Sequence, residues 1–135
     1  MVKEIIITSA LLVSSLKIQA NSVPSGELLR QKECLSTIIY SESRGEPKTG
    51  QLAVAHASIN RAVKTTGSTC NIRGVTRKKI PKQDKTYFIK LAEYALFHKS
   101  TIASADSWNT GKKPHSRGKA VKSIGAHVFY IMASL

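Results

Sequence analysis

Acidic residues are scarce in this chain, 8 against 21 lysines and arginines, which leaves a formal net charge of +13. There are only two cysteines, no Cys-x-x-Cys pair, and four scattered histidines. That spacing excludes a structural zinc site. The longest apolar run, residues 5–16, falls short of the roughly 20 residues that span a bilayer, so no stable membrane span is expected after processing. No internal repeat or low-complexity tract is present, and 135 residues leave no room for a second domain beside a core of ordinary size.

What is present begins with Met1-Val2-Lys3-Glu4, the apolar run, and then Lys17-Ile18-Gln19-Ala20. A charged start, about a dozen apolar residues and a small residue at the cut are the parts of a secretory signal. Residues 1–20 are therefore expected to be a signal peptide cleaved after Ala20, with a buried N-terminal helix or an uncleaved anchor as the competing readings. Residues 21–26 read as a polar linker and 27–135 as the domain. Cleavage removes Lys3, Lys17 and Glu4 and leaves a charge of about +12, a field that concentrates polyanions. For an exported protein, periplasmic or extracellular, the expected partner is the anionic cell envelope and not nucleic acid. An oxidising compartment favours joining Cys34 to Cys70, against the alternative of two buried thiols.

Leu28, Leu35, Ile38, Ile39 and Glu42 fall on one stripe of a 3.6-residue period, a helix stopped by Gly45 and Pro47. A second helix opens at residues 47–49 with Leu52, Ala55, Ile59, Ala62 and Val63 inward, and its many small residues predict close packing on a central helix. Residues 64–82 read as a basic loop. Residues 83–98 read as a helix with Phe88, Leu91 and Ala95 inward and Tyr87, Ala92 and Leu96 as secondary candidates for that face, 104–119 as an irregular loop, and 124–131 as a strand in preference to a short helix.

Glu42 is the residue out of pattern, a carboxyl group on an apolar stripe where an unpaired charge is costly. Apolar surroundings raise a carboxyl pKa, as a general acid for a glycosidic oxygen requires. The plain alternative is a helix-end glutamate paired with Arg44 or Arg61.

The run Ile38-Ile39-Tyr40-Ser41-Glu42-Ser43-Arg44-Gly45-Glu46-Pro47, followed by Gly50-Gln51-Leu52-Ala53-Val54-Ala55 and Asn60-Arg61, resembles the opening of the SleB-like cell wall hydrolases. Ile124-Gly125-Ala126-His127-Val128-Phe129-Tyr130 resembles that family's closing motif. The resemblance implies an α+β, mainly α, compact lysozyme-like domain with a short β or irregular C-terminal segment, related to lytic transglycosylases. It implies cleavage of the β-1,4 bond between N-acetylmuramic acid and N-acetylglucosamine in peptidoglycan, with Glu42 catalytic. Glu46, Gln51, Asn60, His127 and Tyr130 then line or support the glycan groove. Each also has a structural reading: Glu46 as a cap of the second helix, Gln51 and Asn60 as buried amides, His127 and Tyr130 as core. The run Gly74-Val75-Thr76-Arg77-Lys78-Lys79-Ile80-Pro81 departs from the family's Gln-Phe-Ser-type segment, so one groove wall is altered.

The favoured mechanism is lytic transglycosylation by a monomer without metal or organic cofactor. A hydrolytic muramidase would need a second carboxylate, for which Asp84 and Asp106 are the candidates. Two non-enzymatic readings remain beside it: a cationic peptidoglycan-binding or inhibitor module, and a membrane-permeabilising protein, for which no single basic amphipathic face is visible.

Overall fold

The computed structural model describes residues 25–111 and 117–135. The expected signal peptide, positions 21–24 of the expected linker and His115 lie outside the described residues. Helix α1 spans Ser25–Ser43, α2 Lys48–Lys64 and α3 Lys85–Phe97, the last entered through a 3-10 turn at Lys82–Asp84. Strands β1 (Ser107–Asn109), β2 (Gly118–Ile124) and β3 (His127–Met132) form an antiparallel sheet in the order β1-β3-β2. Three helices and a small sheet make an α+β, mainly α domain. None of the described helices is long and apolar enough to cross a membrane.

The elements follow the expected periodicities, with four corrections beside the span 124–131, which is not one strand: a turn at Gly125–Ala126, with Gly125 at φ +57°, ends β2 at Ile124 and starts β3 at His127. The first helix begins at Ser25, so the last two linker positions are already helical; serine and glycine are both well suited to a helix start. The stripe assigned to α2 understates its burial, because Ala53, Val54, Ala57 and Ser58 are also enclosed, while Val63 is 53% exposed. The helix has two packed faces. Ala55 and Ile59 join Leu35, Ile39, Phe88 and Leu91 in a cluster shared by the three helices. On its other side, Ala53, Val54 and Ala57 join Ile38, Ile102 and Phe129 in a cluster that reaches the sheet. Small side chains let both layers approach one helix. Tyr87, a possible inward residue of α3, is 46% exposed.

The fourth correction concerns residues 104–119, which contain β1 and the first residues of β2 and are not irregular throughout. Strand β1 is three residues long and defined by long-range pairing, Ser107 opposite Tyr130 and Trp108 opposite Phe129. Strand β2 is a largely exposed edge with a register shift between Ala120 and Lys122, so it carries no alternating pattern.

Loop 65–81 is fastened to α1. Cys34 and Cys70 are joined in a disulfide, Gln31 Oε1 accepts the Thr69 N–H at 2.8 Å, and Gln31 Nε2 donates to Ser68 Oγ at 2.8 Å. Arg77 donates to the carbonyls of Thr69 and Ile72, which holds the loop's basic tip to its own stem.

Candidate functional site

The corner between α1 and α2 carries two glutamates, and residues from distant parts of the chain reach each of them. Glu42 sits one residue before the end of α1, half-buried. Its Oε1 accepts the Thr76 backbone N–H at 2.7 Å and its Oε2 accepts the Trp108 indole N–H at 3.4 Å. Thr76 comes from the departing segment, Trp108 from β1. The expected surroundings of apolar side chains are therefore replaced in part by N–H donors. Neither Arg44 nor Arg61 forms an ion pair with Glu42 among the described residues.

Arg61 lies behind this site. Its guanidinium stacks over the Trp108 ring at 5.0 Å, and its nitrogens donate to the carbonyls of Asp106 and Arg73, each at 2.8 Å. Burial pushes its pKa below the usual guanidinium range, against the opposing pull of the Asp106 and Glu42 carboxylates. Arg61 thereby orients the indole that meets Glu42 and ties the loop to β1.

Glu46 does not cap α2, whose first turn has no side-chain cap. It reaches instead to the β2–β3 turn, where its Oε1 accepts the Ala126 N–H at 2.8 Å and lies 3.3 Å from His127 Nδ1. That second contact is an ion pair when the ring is protonated, but it lacks the alignment of a hydrogen bond. Two glycines make the reach possible. A Cβ on Gly125 would lie 2.7 Å from Glu46 Oε2, and one on Gly50 would lie 3.2 Å from Glu46 Cβ.

The other expected site residues are engaged within the protein. Gln51 is buried, accepts the Tyr87 hydroxyl at 2.6 Å and donates to the Arg44 carbonyl at 3.3 Å. Asn60 donates to the carbonyls of Ala103 and Ala105, holding the loop before β1 against α2. Tyr130 is buried on β3, with its hydroxyl 3.4 Å from Asn109 Oδ1. Glu42, Thr76, Trp108 and Arg61 make one cluster. Glu46 and His127 make a second at the hairpin, while Gln51 and Asn60 brace the elements from behind.

Of the two candidate second carboxylates, Asp106 is fully buried, paired to Lys64 at 2.6 Å and bonded to Ser107 and the Met132 N–H. Its bonds are all committed to joining α2, β1 and β3. Asp84 stands half-buried at the entry to α3. No group of three or more His, Cys, Asp or Glu that could hold a metal occurs among the described residues.

Trp108 and Thr76 were not among the sequence candidates. Trp108, the chain's single tryptophan, was a visible signal; Thr76 acts through its backbone, which no residue type announces.

No protein-family model matches the chain, and a comparison with curated proteins finds no match. Solved structures do match. The catalytic domain of the Bacillus cereus SleB protein is 23% identical with a TM-score of 0.66, over 81% of this chain and 95% of that one. The chain has the fold of a SleB catalytic domain. A second neighbour, the catalytic domain of the germination-specific lytic transglycosylase SleB from Bacillus anthracis, is 24% identical with a TM-score of 0.57, over 81% of this chain and all of that one.

Proposed function

We propose that this protein is a peptidoglycan lytic transglycosylase that cleaves the β-1,4 bond between N-acetylmuramic acid and N-acetylglucosamine, with Glu42 as general acid and then base. The observation that carries the reading is the unequal hold on Glu42 in a SleB-type fold: Oε1 is fixed by a backbone N–H at 2.7 Å, whereas Oε2 has only an indole N–H at 3.4 Å. The loosely held oxygen is the one able to carry and pass a proton. In the protonated enzyme it gives that proton to the bridging oxygen as the bond from the muramic C1 breaks. The 2-acetamido group stabilises the cationic sugar. The Glu42 carboxylate then takes the proton of the 6-hydroxyl as O6 bonds to C1, closing a 1,6-anhydro ring without consuming water.

The commitment of Asp106 to Lys64, and of Glu46 to the hairpin, favours this route over a two-carboxylate muramidase. Gln51, Asn60, His127 and Tyr130 support the groove by holding the α2 start and the sheet in place. The signal-like residues 1–20 and the basic charge fit an exported monomer held on the anionic wall.

The test is Glu42→Gln. It should lower clearing of purified peptidoglycan by about 10²–10⁴-fold, the usual contribution of a general acid–base group, and leave sedimentation with the polymer intact. Unchanged clearing would overturn the assignment. Sedimentation without clearing by the wild-type chain would favour a binding or inhibitor module, and dye release from anionic vesicles a membrane-active protein.

A further inference from the structure

Beyond Thr76, the departing segment continues along α1 away from Glu42. The Lys78 N–H is bonded to Ser41 Oγ, one residue before the acid, and Lys79 and Ile80 then wall a hollow of about 460 Å³. Glu33, Ser36 and Thr37 of α1 line it too, together with Lys82 and Lys85 at the entry to α3. Thr37 precedes Glu42 by five residues, ~7.5 Å along the helix axis. One stretch of chain therefore touches the acid and lines the hollow.

The floor is apolar at Ile80, which is 8% exposed, and the rim holds three ammonium groups and one carboxylate. None of Lys79, Lys82, Lys85 or Glu33 forms an ion pair among the described residues. Like charges gathered at a concavity focus their field into it.

We propose that this hollow is the subsite for the acidic peptide stem borne by the muramic sugar next to the scissile bond. The inference rests on the glycan-cleaving reading above. A wall peptide carries several carboxylates and an amine on its diamino residue, which complements three lysines and one glutamate. A phosphodiester polymer would satisfy the lysines but meet repulsion from Glu33. The basic residues belong to, or directly follow, the run by which this chain departs from its family, so the subsite is a property of this chain.

The test uses the full chain and three probes read by fluorescence anisotropy: a labelled disaccharide-peptide, the same disaccharide without its stem, and a glycerol-phosphate oligomer. Lys79→Gln, Lys82→Gln and Lys85→Gln combined should weaken the disaccharide-peptide about tenfold, as expected from three modest exposed ion pairs. Binding of the stem-free sugar should not change. Lys90→Gln, Lys99→Gln and Lys119→Gln combined remove the same charge elsewhere and should change neither by more than about twofold. Equal affinity of wild type and hollow variant for the disaccharide-peptide, equal loss in the control, or displacement of the peptide by the glycerol-phosphate oligomer would each overturn the proposal. Stem binding through these lysines by a chain that leaves glycan uncut would contradict the transglycosylase reading and leave the subsite standing.

Discussion

Glu42 and Glu46 stand four residues apart at one corner of the molecule, yet the chain that closes over each differs in kind. At Glu46 a β-hairpin folds down on the carboxylate, two glycines clear its path, and 14% of the side chain remains exposed. At Glu42 a disulfide-anchored loop brings one backbone N–H and β1 brings one indole, and the second oxygen is held only at 3.4 Å. Two half-buried glutamates four residues apart are thus separated by which parts of the chain bring their partners. Glu46 joins the α1–α2 corner to the β2–β3 turn, and Glu42 is where the disulfide-anchored loop and β1 meet.

The comparison can be broken from either side. The largest effect is expected on the Glu42 side, where replacing Cys34 and Cys70 together by alanine frees a loop whose ends are separated by 36 residues. On the chain-entropy estimate this costs about 4 kcal/mol, read as a drop in denaturant midpoint. Cleavage should fall further than the unfolded fraction explains, because the segment carrying Thr76 loses its anchor. Next, Ile39→Ala opens a void in the cluster shared by the three helices, where Ile39 is fully buried, and should cost about 3 kcal/mol. This variant should weaken both corners equally, and a loss confined to activity would contradict it. The smallest effect is expected from Gly125→Ala on the Glu46 side. With φ at +57° and Glu46 Oε2 in the way, it should cost about 1–3 kcal/mol by thermal melting. Clearing per folded molecule should change less than in the cysteine variant.

What was readable in advance follows the same division. The helices and their buried faces were legible because 3.6-residue periodicity is local: Leu35, Ile38 and Ile39 declare their side of α1 from spacing alone. Glu42 was legible too, as a charge on an apolar stripe, and Glu46 through the motif that carries the family resemblance. Their partners were not, since the Thr76 and Ala126 donors are backbone groups delivered by tertiary folding. Strands β1 and β2 were hidden for a related reason. Three residues of β1 have no period to read, and β2 exposes most of its length, so only pairing with β3 defines them. Gln51 and Asn60 stood out through the resemblance, with buried amides as the alternative, but only the structure assigns their amides to Arg44, Ala103 and Ala105.

The measurement that bears most directly on the central claim is the mass of the glycan ends released from purified peptidoglycan by the wild-type chain. If Glu42 acts alone as acid and then base, every new muramic end carries a 1,6-anhydro ring and is lighter by one water than a reducing end. Reducing muramic ends as the main product would require a water-activating route and would contradict the single-carboxylate mechanism.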